Sequence, residues 1–304
     1  MLMDSKNISV GGQAVIEGVM IRGPKKYVVA CRKKSRIVLK KGSIPTKKNK
    51  FLKMPFVRGF VNLLDMMIIG IKSLMWSAEQ QAEEHEKIGK SEIMWTMLFS
   101  FGLVVIFFIA LPYVLTSLIG VKEETRPLLF NLVDGLIRIT IFVVYIFGIS
   151  MMKDVKILFQ YHGAEHMAIH CYEHDQKLEK NQVRKFATLH PRCGTSFLLI
   201  VFLVSILMFS ILPSVIMHYW PEFSKMGIGV RKGLLFPVRI LLLPLVAGVA
   251  YEILKLSDKR QDNLLFKIIS WPGLALQKIT TQKPSDRQIE VAIHSLKNLL
   301  KIEK

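Results

Sequence analysis

Residues 196–217 read SFLLIVFLVSILMFSILPSVIM, a stretch without a single charged side chain. As a helix, a run of this length and composition can cross the hydrocarbon core of a bilayer. Three further blocks are comparably apolar, at residues 94–119, 128–152 and 233–254. Since 51% of the 304 residues are hydrophobic, the sequence predicts a polytopic α-helical membrane protein with about four transmembrane helices.

Two of these blocks contain charged side chains. The second carries Asp134 and Arg138, and the fourth carries Arg239 and Glu252. Because charges are costly in lipid, we expect these groups to face the interior of the helix bundle or one another.

The orientation follows from the distribution of lysine and arginine. Eighteen precede the first block, seven lie in residues 153–195 and ten follow residue 254, whereas five lie in the two remaining connections. This bias predicts a multi-pass protein of the cell membrane with both termini and the 153–195 connection in the cytoplasm. The three cysteines, Cys31, Cys171 and Cys193, then lie on the cytoplasmic side, where we expect free thiols or metal ligands.

The formal net charge of +19 has three interpretations. Much of the charge lies between residues 25 and 53, just before the apolar blocks. It can be a solvated cytoplasmic face, a patch that docks on anionic lipid headgroups, or a nucleic-acid surface. No recognition motif for nucleic acid accompanies the charge, so membrane lipids are the predicted partners.

The region before the first block divides into two parts. Residues 1–55 are predicted to form a small, basic, β-rich cytoplasmic subdomain, with strands at 14–21, 27–32 and 36–40. Residues 56–93 follow as an amphipathic helix and a polar linker. Residues 56–78 carry Arg58, Asp65 and Lys72 at sevenfold spacing, so these charges share one helical face. We expect this helix to lie in the membrane interface rather than to cross it.

Residues 94–254 form the predicted four-helix transmembrane domain, and residues 255–304 form a cytoplasmic tail. The tail contains Ser285-Asp286-Arg287-Gln288, the pattern of a capping box, ahead of an amphipathic stretch. The resulting helix should pack on the cytoplasmic sheet or on the membrane.

The 153–195 connection contains the same five-residue pattern twice. The first copy is His162-Gly-Ala-Glu165-His166 and the second is His170-Cys-Tyr-Glu173-His174. On a helix each copy places two imidazoles one turn apart beside a carboxylate, in the order of the inverted zinc-protease signature. The predicted cofactor is therefore a divalent metal, expected to be zinc, with His162 and His166 as ligands and Glu165 as general base.

The remaining ligand is open at this stage. His190 and Cys193 lie just before the third block, so antiparallel packing of the second and third blocks would bring them to the first copy. His190, Cys193 or Glu173 could complete the site, and Arg192 could stabilise developing negative charge. His162 and His174 would lie about 18 Å apart along a helix axis, so one ion cannot use both copies. The second copy is better explained as a solvated continuation of the helix than as a metal site.

Several long motifs stand out at residues 11–24, 161–166, 190–195, 243–248, 251–252 and 289–292. Together they resemble those of the YqhQ-like family of bacterial membrane proteins. The resemblance covers nearly the whole chain and implies a predicted metal-dependent enzyme of unknown substrate. It also draws attention to Glu17, as a further metal ligand or an ion-pair partner of Arg192. This chain has Met167 where the family pattern usually has lysine.

Three classes of function fit these patterns. The first is a metal-dependent hydrolase at the cytoplasmic membrane surface, acting on a peptide or lipid-linked bond. The second is a non-enzymatic accessory factor for membrane-protein insertion or assembly, with a membrane-protein partner. The third is a transporter or metal sensor that uses the charges inside the apolar blocks; four spans without a visible inverted repeat make it the weakest.

Overall fold

The computed structural model describes residues 8–45, 49–82, 90–121, 126–260 and 263–303. These residues form a mostly helical protein with one small antiparallel sheet. The strands are β1 (Gly11–Val15), β2 (Gly18–Arg22), β3 (Lys26–Lys33) and β4 (Arg36–Ser43). The helices are α1 (Val57–Gln81), α2 (Lys90–Val105), α3 (Leu111–Leu118), α4 (Pro127–Ser150), α5 (Lys153–Glu173), α6 (Lys180–Val183), α7 (Gly194–Tyr219), α8 (Ile228–Lys259), α9 (Leu264–Thr280) and α10 (Asp286–Glu303).

Within the described residues, five helical segments are long and apolar enough to cross a membrane. They are Val57–Gln81, Met94–Leu118, Leu128–Ser150, Gly194–Tyr219 and Gly229–Ser257. The second joins α2 to α3 through the π-helical segment Ile106–Ala110. Four of the five correspond to the predicted blocks, and the additional one is α1.

The N-terminal β-rich region is an antiparallel meander in the order β1-β2-β3-β4. The strands predicted at 27–32 and 36–40 are present as β3 and β4. The strand predicted at 14–21 is instead split into β1 and β2 by a tight turn, in which Glu17 has a φ of 50°. Gly18 permits this turn because a Cβ there would overlap the carbonyl oxygen of Ala30 on β3.

The sheet is the middle of three layers. On one face Val19, Ile21, Val28 and Ala30 pack with the buried side chains of α5 and α10. Residues on the opposite face, including Met20 and Val29, pack against Ile69, Met66, Leu74 and Trp76 of α1. This division follows from the alternation of side chains along a strand, which here makes both faces apolar.

The C-terminal helix closes the layer that covers the sheet. The side-chain oxygen of Gln288 accepts a hydrogen bond from Ser285 N at 2.7 Å, as expected of the predicted capping box. At the other end of α10, Glu303 Oε1 accepts hydrogen bonds from the backbone nitrogens of Lys25 and Lys26, at 2.8 and 2.6 Å. The amphipathic helix therefore packs on the sheet, and the N- and C-terminal regions form one unit with α5.

Helix α1 joins this unit to the apolar helices. At its start, Arg58 makes a two-pronged ion pair with Glu252 of α8, at 2.7 and 2.6 Å. Farther along, Gly70 leaves room for the side chain of Gln13, and Ser77 Oγ accepts a hydrogen bond from Ile16 N at 3.1 Å. The charge of Glu252 is thus paired, as expected for an ionised group in an apolar helix.

Candidate metal centre

The histidine segment lies on α5, which is separated from the end of α4 by two residues. Gly163 of the first copy sits where another part of the chain crosses this helix. A Cβ at Gly163 would overlap the carbonyl oxygen of Gln282, whose N–H donates to Phe159 O at 3.0 Å. The glycine thereby lets the connection between α9 and α10 pass directly over the two histidines.

Both imidazoles of the first copy are oriented by backbone carbonyls. His162 Nδ1 lies 2.9 Å from Thr280 O, and His166 Nδ1 lies 2.5 Å from Thr188 O. A carbonyl accepts only, so each Nδ1 carries the proton and each Nε2 has a free lone pair. Carbonyl partners of this kind are typical of histidines that bind metals through Nε2.

The two rings converge on Cys193. Its Sγ lies 3.3 Å from His162 Nε2, and ligand atoms of His162, His166 and Cys193 all lie within 4.8 Å of one another. Nitrogen and sulfur ligands of a tetrahedral zinc ion are roughly 3.5 Å apart, given metal distances of about 2.0 and 2.3 Å. The three side chains could therefore hold zinc after small adjustments.

Cys193 is also the N-cap of α7, where its Sγ lies 3.4 Å from the N–H of Thr195 and 3.1 Å from the Thr195 hydroxyl. Burial opposes ionisation of the thiol, but the neighbouring His166 imidazole and the hydrogen bonds from Thr195 outweigh it and lower the pKa of Cys193. Zinc binds the thiolate form, so this environment suits a ligand.

Glu165 lies beside this trio and is buried. Its Oε2 has no hydrogen-bond partner among the described residues and lies 3.5 Å from His166 Nε2. Burial raises the pKa of Glu165 to about 8, and burial lowers the pKa of His166 to about 4. An unsatisfied buried carboxylate is costly in free energy, and a neighbouring cation or water would relieve that cost.

A small cavity of about 50 Å³ adjoins these groups. It is lined by Glu165, His166, Cys193, Arg192 and Gly12, among others. Gly12 is needed here because a Cβ at this position would lie 2.9 Å from Glu165 Oε1. The cavity has room for roughly one to a few water molecules beside the carboxylate.

His190, predicted as a ligand of the same site, belongs to a second group. Its Nε2 lies 3.1 Å from Glu173 Oε2, and its Nδ1 accepts a hydrogen bond from Arg192 N at 3.2 Å. The Arg192 guanidinium also pairs with Glu173. Ligand atoms of His170, Glu173 and His190 meet the same 4.8 Å criterion, but both ring nitrogens of His190 already have protein partners.

The two histidines of the second copy differ in their partners and in their exposure. His170 Nε2 lies 2.7 Å from Leu189 O. His174 is the C-cap of α5, and its exposed Nδ1 lies 2.8 Å from His170 O. Glu17, suggested as a ligand or a partner of Arg192, instead accepts a hydrogen bond from Tyr161 at 3.0 Å.

Gln277 of α9 holds one segment of the candidate site in place, which the sequence did not reveal. Fully buried, it accepts a hydrogen bond from His190 N and donates to His190 O, both at 2.8 Å, and to Ser196 Oγ at 2.7 Å. These bonds fix the segment that carries Arg192 and Cys193. A single glutamine in an amphipathic helix gives no sequence signal, whereas Gly273, one turn earlier and in contact with Ser196, marks the close approach of α9 to α7.

Comparison with known proteins identifies the family. Residues 54–302 match the model of a family described as "Protein of unknown function (DUF1385)". The chain belongs to this family. It is 33% identical over 317 aligned residues to "Uncharacterized protein YqhQ" of Bacillus subtilis (strain 168), covering 96% of this chain and 92% of that protein. The resemblance seen in the sequence motifs is thus confirmed. No solved structure matches the chain.

Proposed function

We propose that this DUF1385 protein is a metal-dependent hydrolase at the cytoplasmic surface of the cell membrane, with zinc held by His162, His166 and Cys193. One observation carries the proposal: two carbonyl-oriented imidazoles direct Nε2 toward the Cys193 sulfur, beside a buried and unpartnered Glu165. The donor set and the burial fit zinc.

The residues around the trio have distinct roles in this proposal. Zinc held by these three residues would polarise a water for attack on a carbonyl or phosphoryl group. The same cation would favour the ionised form of Glu165, which would then take up a proton of that water at Oε2 and pass it to the leaving group. Arg192 lines the cavity, held by Glu173, and stabilises negative charge on the substrate oxygen.

The position of the site suggests a membrane-associated substrate. Cys193 immediately precedes α7, the most apolar of the long helices, so the metal centre lies at one end of the helix bundle. A substrate that reaches it from the bilayer would be a peptide segment or a lipid-linked molecule. The basic residues of the N-terminal region would hold this face against anionic headgroups.

Contacts of the sheet support four crossings rather than five. The sheet packs on both α5 and α10, so an even number of crossings must separate the sheet from each of them. Crossing by α2–α3, α4, α7 and α8 satisfies both conditions, whereas an additional crossing by α1 would violate both. We therefore propose that α1 lies at the membrane surface, where it contacts the sheet with one part and α8 with another.

Cysteine labelling tests this topology in intact cells. Single cysteines at Ile119 and Ser224, both exposed, should react with a membrane-impermeant maleimide. Those at Gln176 and Ser285 should react only after permeabilisation. The three native cysteines are buried, so the parent protein provides the background. External labelling at Gln176 would contradict the proposed orientation.

The hydrolase proposal is tested with Glu165→Gln, which keeps the shape of the side chain but removes the base. Zinc content, melting temperature and complementation of a deletion strain should be measured together, with the same change at an exposed glutamate, Glu179→Gln, as the control. We expect Glu165→Gln to retain zinc and to lose complementation. Full complementation by Glu165→Gln would rule out the hydrolase mechanism.

A second candidate is a non-enzymatic assembly factor stabilised by a structural metal ion. It is favoured by the way the trio joins α5 to the start of α7, with its rings held by the carbonyls of Thr188 and Thr280. A metal ion there would lock four segments of chain together. In that case Glu165→Gln should lower zinc affinity and melting temperature in parallel.

A further inference from the structure

A second polar cavity lies among the long helices, remote from the metal centre. Its volume is about 310 Å³, and it is bounded by α3, α4 and α8 and by the π-helical segment before α3. Asp134 and Arg138 lie roughly 9 and 15 Å along α4 from Leu128, in the half of this helix that is remote from α5. The cavity thus belongs to the outer half of the membrane in the four-crossing arrangement.

The charged groups lining this cavity do not balance. Arg138 Nη2 lies 2.7 Å from Asp134 Oδ2, and Arg239 Nη2 donates to Asn131 Oδ1 at 3.3 Å. Arg239 also lies over the ring of Phe209, 5.6 Å from its centroid. Among the described residues that line the cavity, two carry a guanidinium group and one carries a carboxylate, a net charge of +1 whatever the pairing among them.

The helix directions determine where these guanidinium groups can reach. Side chains on a helix tilt toward its N-terminus. Both α4 and α8 begin at the outer end, so Arg138 and Arg239 extend toward the outer headgroup region. Charged side chains in a membrane interior usually serve a ligand, an ion path or one another.

The cavity has one wall that faces lipid. Ile109 and Phe236, which line it, are 53% and 61% exposed on the bundle surface. Ile109 lies in the π-helical segment Ile106–Ala110, and π-helical turns inside α-helices occur frequently at functional sites. A lipid could therefore enter from the side, with its acyl chains remaining in the bilayer.

We propose that this cavity binds the phosphate of a singly anionic phospholipid from the outer leaflet. The guanidinium groups of Arg138 and Arg239 would donate to the phosphodiester oxygens, for which the planar arginine fork is well suited. The single negative charge of such a lipid neutralises the net charge of the cavity. This inference uses the membrane arrangement proposed above but is independent of the metal centre.

A purely structural role for these charges explains less. An ion-pair network that holds α4 against α8 would account for the contacts of Asp134, Arg138 and Arg239. It would leave unexplained why these charged groups line a cavity that is open toward the bundle surface instead of being enclosed by packed side chains.

Native mass spectrometry of the detergent-purified full chain tests the proposal. Phosphatidylglycerol and phosphatidylcholine with identical acyl chains are added in equal amounts, and bound lipids are counted. We expect one retained phosphatidylglycerol, preferred about tenfold over phosphatidylcholine, because the choline ammonium cancels the charge of an otherwise identical phosphodiester beside the two guanidinium groups. Absence of a preference in the wild-type protein would overturn the proposal without recourse to any variant.

Variants assign the preference to the cavity. Arg239→Gln should reduce phosphatidylglycerol retention about tenfold, whereas Arg231→Gln, which removes the same charge from α8 outside the cavity, should not. Equal retention by Arg239→Gln and wild type would overturn the assignment. Excess inorganic phosphate should not displace the lipid; complete displacement would identify a free anion as the ligand and overturn the lipid proposal.

Discussion

The two copies of the five-residue histidine pattern share one helix but occupy opposite environments. Glu165 of the first copy is buried without a hydrogen bond to Oε2, and burial raises its pKa to about 8. Glu173 of the second copy is also partly desolvated, yet His190 and Arg192 more than offset this and lower its pKa. The same local pattern therefore places a buried carboxyl group with an unsatisfied oxygen in one position and a fixed counterion in the other.

The comparison teaches that spacing alone does not define a metal site. In the first copy, backbone carbonyls accept hydrogen bonds from both Nδ1–H groups, which leaves both Nε2 atoms free to bind one metal ion. In the second copy, His174 lies at the end of α5, where its side chain is exposed and does not converge with that of His170 on a common point. The two copies differ in which other segments of the chain pack against α5 beside them.

The largest expected difference between the copies is in metal affinity. His162→Ala and His166→Ala should each weaken zinc binding by more than roughly 100-fold, because partners outside the ligand shell alone contribute 10–100-fold. His174→Ala, the matched change in the second copy, should leave zinc content unchanged. Zinc analysis of the purified proteins measures this, and equal losses for all three would show that the copies act together.

A smaller effect, on stability, is expected at Gly163, where the connection between α9 and α10 crosses the first copy. Gly163→Ala should destabilise the protein by about 3 kcal/mol, since its methyl group would overlap the backbone of Gln282. Thermal unfolding measures this, and the misplaced Thr280 carbonyl should also weaken zinc binding. The control is Gly148→Ala, because a Cβ there meets nothing within 4 Å. Wild-type stability of Gly163→Ala would show that this crossing is not rigid.

The paired carboxylate of the second copy should affect stability in a pH-dependent way. Its folded-state pKa is lowered, so Glu173 stabilises the fold above its unfolded pKa of about 4.3 and loses this effect as pH falls through the lower folded value. Glu173→Gln should cost about 2 kcal/mol at pH 7, and the difference should shrink below pH of about 4. Melting temperatures of both proteins across this range measure it. A constant difference at all pH values would mean that charge is not the cause.

The smallest effect is expected for His190, which lies between the two copies. His190→Gln should change zinc affinity by less than about threefold, because its ring nitrogens are engaged by Glu173 and Arg192. Zinc titration in competition with a chelator measures this. A loss comparable to that of His166→Ala would place His190 among the ligands after all.

Much of the fold could be predicted because it depends on regular patterns. The apolar blocks, strands β3 and β4 and the helix that follows Ser285 each have a period or a capping signal in the sequence. The split between β1 and β2 was missed because the turn at Glu17 relies on the close approach of Gly18 to β3. The contribution of α9 was missed because the role of Gln277 depends entirely on its partners in other segments.

The sequence by itself determined that this chain has helices able to cross a membrane, a small sheet, and two histidine pairs one helical turn apart. These features are local, because hydrophobic length and helical spacing do not depend on distant residues. Only the tertiary structure decided that Cys193 joins His162 and His166 while His190 joins Glu173. That choice depends on where Gln277 holds the start of α7, and contacts between segments over 80 residues apart leave no periodic trace in a sequence.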